Sequence, residues 1–181
     1  MLKKCLLVML LFLHLFPTGA IAKPLVLQKN AVDTTRVPSD TLLVQTADLI
    51  VYGRYDTPTQ IIPTSRKVSG GKLVNYVQLY QVRHAFKGRP GHIIRIVSSG
   101  VEPLAPAGHP SHMKYPGPVA EGAYVCFLKK IEGRNLYRLI GGWQGLYPVV
   151  EGKLISLQDA GFPSLQALPL EQLKQFVQEK R

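Results

Sequence analysis

The side chains able to do chemistry are few and scattered. His109 and His112 flank Pro110 and Ser111, and two imidazoles at that spacing can reach one metal ion if their loop folds back on itself. A complete metal site would need His84 or His92 as well, and both belong to other segments. No familiar zinc-enzyme spacing is present, so a plain exposed loop is the competing reading and no cofactor is expected. Cys126 lies within the apolar run Tyr124 to Leu128, whereas a thiol nucleophile needs an exposed sulfur beside a basic partner; it reads as a small buried hydrophobe. Ser98, Ser99 and Ser111 have no nucleophile-elbow sequence around them, and nothing in the sequence pairs them with His84 or His109. The carboxylates show no paired spacing for acid and base roles, and the expectation is a protein that is not an enzyme.

Binding residues are easier to nominate. Trp143 is the only tryptophan, set in Gly141-Gly142-Trp143-Gln144-Gly145 with Tyr147 close behind. An aromatic ring among glycines at a barrel mouth can stack on a sugar or enter a partner's pocket; it can equally plug the end of the barrel. Tyr52, Tyr55, Tyr76 and Tyr80 can line a binding face with Arg54 and Lys72, with part of the tyrosine set serving the core. The ligand-binding candidates are therefore Trp143, Tyr147, Arg54 and Lys72, and the weak metal candidates are His109 and His112.

The surroundings of these residues point outside the cytoplasm. Lys3 and Lys4 precede an apolar run from Cys5 to Phe16, then Pro17-Thr18, then Ala20-Ile21-Ala22 with small residues at the positions a signal peptidase inspects. Residues 1–22 thus read as a cleavable secretory signal. Their apolar run is short of the roughly 20 residues that span a bilayer, and no later segment is long and apolar enough, so no stable membrane insertion is expected. Cys5 leaves with this segment and lies ahead of the apolar run, not at its end where an acylated cysteine belongs. Cys126 then stands alone, and the exported chain must be held by its hydrophobic core without disulfides.

The chain carries 22 Lys and Arg against 11 Asp and Glu, a formal net charge of +11, and remains basic once Lys3 and Lys4 are removed. For an exported protein this favours an acidic protein, an anionic wall polymer or anionic lipid over nucleic acid. The charges are scattered, which also describes an ordinary solvated surface.

Positioning falls to the strands. Residues 23–38 read as an extended lead-in, and 39–181 as one domain of a length that buries a sizeable core. Ser39 offers an N-cap for a short helix to about Ala47, and a strand with Leu49 to Tyr52 follows, with Gly53 marking a bulge or bend. Thr57 to Gly71, rich in Pro, Thr, Ser and Gly, reads as a long loop. Lys72 to Phe86 is the longest strand, with Val74, Tyr76, Tyr80, Val82 and Phe86 on one parity. His92 to Ser98 is the next. Gly100 to Gly122 reads as a second long loop without regular structure. Strands follow at Ala123 to Ile131, Leu136 to Ile140 and Leu146 to Val150, and Glu151-Gly152 turns the last of these into Lys153 to Ser156. Leu170, Leu173, Phe176 and Val177 then recur at helical spacing. Strands dominate with few helices between them, which predicts a mainly β fold: a five-stranded Greek-key, OB-like barrel with an extra hairpin, a short N-terminal helix and a C-terminal helix.

The stretches Ala47-Asp48-Leu49-Ile50-Val51-Tyr52-Gly53-Arg54, Phe86-Lys87-Gly88, Ile93 to Val97 and Glu121-Gly122-Ala123-Tyr124-Val125-Cys126-Phe127-Leu128 together resemble the barrel framework of the tissue inhibitors of metalloproteinases and netrin-type modules. The resemblance runs from about Ala47 to Ser156 and also takes in secreted bacterial proteins of unassigned function. It implies the barrel. The inhibitors of that family direct an amino-terminal cysteine, braced by disulfides, at the enzyme's zinc; a mature chain starting at Lys23 has neither feature. The expected role is a secreted, non-catalytic binding module that meets an extracellular protein or an anionic wall polymer through the barrel face and the long loops. An inhibitor or accessory protein of a secreted hydrolase is the alternative, with a loop as the inserting element.

Overall fold

Ser39 caps the first helix, α1 (Asp40–Thr46), by accepting the Leu42 N–H on its hydroxyl at 3.1 Å, and the helix buries Leu43 and Val44. These belong to a computed structural model that describes residues 35–56, 60–106, 108–157 and 160–181. The segment read as an export signal and nearly all of the lead-in lie outside the described residues, as do Thr57–Thr59, Ala107, Gln158 and Asp159.

After α1 come β1 (Leu49–Tyr55), β2 (Gln60–Val68), β3 (Gly71–Lys87), β4 (Ile93–Glu102), a one-turn helix α2 (Ser111–Lys114), β5 (Gly122–Lys130) and β6 (Tyr137–Leu139). A 3-10 turn at Gly142–Gly145 leads into the hairpin β7 (Leu146–Val150) and β8 (Lys153–Leu154), and a further turn runs into α3 (Leu173–Glu179). Five strands pair in the order β1-β3-β4-β6-β5, and β5 pairs back on β1, closing the barrel. The β4–β6 pair is parallel and the others are antiparallel. Strand β2 lies outside this ring on β3, and β7 lies on β5.

Strands β1 and β5 are apolar on both faces because both faces are covered. Leu49, Val51, Tyr55, Cys126 and Leu128 point into the barrel with Tyr80, Ile94, Ile96 and Leu146. Their neighbours Ile50, Val125 and Phe127 point outward, beneath Leu43 and Val44 of α1 and Leu173 and Val177 of α3. Period-2 alternation thus sorts one continuous apolar run into two cores. Inside the barrel Tyr55 stands edge-on to Tyr80 and Tyr124, with ring centroids 4.9 and 5.5 Å away, and the Tyr80 hydroxyl donates to the Tyr124 carbonyl at 2.7 Å.

Three expectations need correction. Gln60–Val68, within the stretch expected to be a loop, is a strand that pairs with β3 from Val77 to Gly71. Its Thr, Ser, Pro, Arg and Lys are residues an edge strand carries to discourage further pairing, and Gly70, at φ 92°, makes the hairpin turn. The second expected loop starts only after β4 ends at Glu102, and it contains α2. Its later part is packed onto the barrel: the buried Gln78 amide donates to the Val119 carbonyl at 2.8 Å and accepts the Val119 N–H at 2.7 Å, while Ser98 Oγ donates to the Gly117 carbonyl at 2.6 Å. Finally, the register of β1 on β3 slips twice, so Phe86 changes side: Val82 and Ala85 join the barrel interior, and Phe86 packs with the helix-covered core.

Gly53 sits at one of these slips, where a Cβ would overlap the Gln81 carbonyl and press on the Tyr80 ring. Gly53→Ala is therefore expected to cost about 2–3 kcal/mol, seen as a lower urea midpoint with an unchanged slope. Asp40 ties the two ends of the domain together, accepting hydrogen bonds from Ser164 Oγ and from Lys180 Nζ at 3.1 Å. Partial burial pushes its carboxyl up, but the Ser164 hydroxyl and Lys180 outweigh that and hold it below the usual carboxylate range. Its contribution is present above the unfolded value of about 3.9 and disappears as pH falls through the lowered folded value. Asp40→Asn should lower stability by about 1–2 kcal/mol near neutral pH, and melting curves of the two proteins should converge as pH falls below about 4.

Candidate functional site

Gly141 and Gly142 both adopt φ near 61°, a left-handed backbone that ends β6 and swings the next residue out of the sheet. The next residue is Trp143. Its indole N–H donates to the His112 carbonyl at 2.6 Å, which ties this turn to α2. Gln144, buried, uses its amide twice on one residue of the lead-in: it accepts the Val37 N–H at 2.8 Å and donates to the Val37 carbonyl at 3.2 Å. Arg36 is thereby held at the rim of a cleft of about 350 Å³ that it lines with Met113, Lys114, Trp143 and Ala160. A second, more apolar recess of about 190 Å³ shares Met113, Trp143 and Ala160 and adds His112 and Leu157, so the two form one groove. Trp143 is only partly buried and also packs on the barrel core, so it both covers that core and walls the groove.

The two loop histidines do not face one another as ligands. His109 Nδ1 accepts the Ser111 N–H at 3.2 Å and meets Ser111 Oγ at 2.8 Å, and its ring lies over Gly70 at the tip of the β2–β3 hairpin. His112 Nε2 lies 3.0 Å from the Ala105 carbonyl and 3.2 Å from that of Pro106, both acceptors, so this nitrogen carries the hydrogen. His84 lies on β3 beside Phe86, and His92 precedes β4. Among the described residues no group of three or more His, Cys, Asp or Glu can hold a metal ion.

The Ser111–His109 contact is one that the sequence did not disclose. It joins residues two apart, and the same imidazole nitrogen also takes the Ser111 backbone, as in a local cap at the start of α2. Ser98 and Ser99 are buried, bonded to Gly117 and to Asn75. Cys126 is fully buried, as read, and loss of hydration pushes its thiol up to about 12 although the Tyr80 and Tyr55 hydroxyls pull the other way.

The four nominated binding residues do not converge. Tyr147 is entirely buried, stacked edge-on to Phe127, and its hydroxyl accepts the Phe162 N–H at 3.1 Å, so it reaches no surface. Tyr55, Tyr76 and Tyr80 are likewise buried, and Tyr52 packs on the helix-covered core. Arg54 is exposed and pairs with Glu121 at 3.7 Å. Lys72 is exposed at the other end of β3, opposite Lys67 and Glu102. Arg54 sits opposite Gln81, so at about 3.3 Å per residue the two basic groups are roughly 30 Å apart along the strand.

Around Arg54 the barrel presents a surface that the sequence reading passed over. Register places Arg54, Gln81 and Ile93 side by side across β1, β3 and β4, and the next outward row is Leu79 beside Arg95. Ile93 is 59% exposed and Leu79 39%, while Ile94 and Ile96 alternate into the barrel. The signal was there: in a strand with Ile94 and Ile96 inside, Ile93 must face out. Gln81 Nε2 donates to Asp56 at 2.9 Å and keeps the row ordered.

No family model matches the chain, and no curated protein matches it.

Because Cys126 is fully buried and its thiol is held near 12, iodoacetamide at pH 8 should leave Cys126 unlabelled in the native protein and should modify it fully in urea. Mass spectrometry before and after unfolding checks this.

Proposed function

We propose that the chain is an exported, non-catalytic binding module whose outer barrel face meets an acidic protein surface outside the cytoplasm. The observation that carries this is the cross-strand patch itself: two exposed aliphatic side chains, Leu79 and Ile93, set among Arg54, Arg83 and Arg95 on strands fixed by the closed ring. An apolar centre with a polar, arginine-rich rim is the make-up of a protein contact more than of a polyanion track, in which cations alone would suffice. The patch rests on rigid strands, so little ordering cost accompanies contact. The excess positive charge of the chain adds attraction at a distance. The same reading keeps the framework resemblance to netrin-type modules and metalloproteinase inhibitors, on strand residues alone. It takes Cys126, Ser98 and Ser99 as core residues and His109 with Ser111 as a turn.

The test is affinity capture from a cell-envelope or extracellular fraction with the wild-type protein, Ile93→Asp and Arg95→Glu, in low and high salt. The captured partner should survive high salt and be lost with Ile93→Asp, whose melting temperature should stay close to wild type because Ile93 is exposed. Capture that collapses with salt and ignores Ile93→Asp would overturn the reading.

A further inference from the structure

The end of the β2–β3 hairpin is a second exposed surface, roughly 30 Å along β3 from the position of Arg54. Register sets Lys67 directly opposite Lys72 beside the Ser69-Gly70 turn, with Glu102 across from Lys72 on β4. Directly opposed residues of an antiparallel pair project to one face with Cβ atoms about 5 Å apart, so two ammonium groups placed there repel and weaken the hairpin that carries them. The arm itself supplies no compensating charge: from Gln60 to Lys72 the sequence holds Arg66, Lys67 and Lys72 and no Asp or Glu. Glu102, on the neighbouring strand, also accepts the Tyr76 hydroxyl. Guarding an open edge accounts for Arg66 and Lys67 on β2, but not for Lys72, which lies on β3 with a strand on either side.

We infer that this hairpin end binds an anionic polymer through its phosphate or sulfate groups, one of them seated between Lys67 and Lys72. A tetrahedral oxyanion turns oxygens to both ammonium groups at once, and its charge converts their repulsion into a bridge across the two strands. Arg66, at the position before Lys67, adds attraction for the next group along the polymer. The exposed residues from Ser65 to Lys72 are serine, arginine, lysine and glycine, and Ile61, the exposed aliphatic residue of β2, lies six positions before Lys67. A protein partner selects by apolar contact, which this end does not present, whereas cations alone suffice for a polyanion.

The test titrates labelled polyphosphate and a labelled sulfated oligosaccharide with the full chain at several salt concentrations, following fluorescence anisotropy. At least one should bind, and the tighter of the two names the source of the oxyanion. Lys67→Glu should weaken that binding by about tenfold at low salt, and should make the slope of log K against log salt shallower by about one. Lys72→Gln should act in the same direction. Lys174→Glu, the same charge change at an exposed position on α3, should cost less than about twofold. Amide exchange gives an independent reading: without polymer, Lys67→Glu should slow exchange at the hairpin by replacing a repelling pair with an attracting one, and the polymer should slow it in the wild type. Binding of neither polymer, equal losses for Lys67→Glu and Lys174→Glu, or hairpin exchange unchanged or faster in Lys67→Glu would each overturn the assignment. Ile93→Asp should bind the polymers as wild type, and Lys67→Glu should leave capture of the salt-resistant partner unchanged, so this inference and the barrel-face reading fail separately.

Discussion

The pairing of β5 on β1, from Leu49 opposite Leu128 to Tyr55 opposite Gly122, is the constraint on which the rest depends. It closes the ring, and it sets two apolar strands side by side so that each side chain has a fixed destination. Leu49, Val51, Cys126 and Leu128 fill the barrel; Ile50, Val125 and Phe127 give α1 and α3 something to sit on. Full burial of each large apolar side chain is worth roughly 1.5–3 kcal/mol. A slip of one residue would exchange the two sets, driving Val125 and Phe127 inward against Tyr55 and Tyr80. The described residues hold one cysteine, Cys126, and it is free, so this sorting by side stands where a disulfide would in many small exported domains.

Around that ring, segments with little apolar character are fixed by buried amides. Gln78 holds Val119 by donor and acceptor together, and Gln144 does the same for Val37. Each mimics one rung of a β-ladder with a side chain, satisfying a backbone N–H and a backbone carbonyl at once. The gain is positional, since a single hydrogen bond nets only about 1 kcal/mol. Leaving such a pair unmade in a buried setting would cost more than making it contributes, and this asymmetry gives each segment one place to go. The outcome is that the stretch after β4 is part packed, with Pro116, Gly117 and Val119 buried and Leu104, Met113 and Pro118 exposed.

Much of the architecture was legible in the sequence, because alternation and turn glycines act locally: the capping serine, the bulge at Gly53, the long β3, the hairpin at Glu151-Gly152 and the terminal helix all follow from near neighbours. The edge strand β2 was hidden because its composition answers the need to avoid further pairing and so looks like a loop. Phe86 was set on the wrong side because a bulge shifts parity without leaving a mark of its own in the residues. The candidate site fared less well, for a related reason. By type Tyr55, Tyr80 and Tyr147 suit a surface as well as a core; only the closed ring shows Tyr55 and Tyr80 inside it, and only the helices packed on its outside bury Tyr147. The cleft at Trp143 depends on Arg36, Lys114 and Gln144 being brought together from three separate segments, and no local pattern records such a meeting.

In the role proposed for the barrel face, charge and apolar area do different work. Positive charge spread over the molecule acts at a distance but is screened within about 8 Å at physiological salt, so it raises encounter rates without selecting a partner. Selection has to come from contacts that exclude water. On the barrel face these are Leu79 and Ile93, held in place by the β3–β4 register. There Arg95 stands beside Leu79, where the lower local dielectric makes a matched carboxylate count for more than it would in open solvent. A partner with charge alone meets only the rim, and a partner with apolar area alone draws nothing from the arginines around it. What binds well must offer both at the spacing the strands impose.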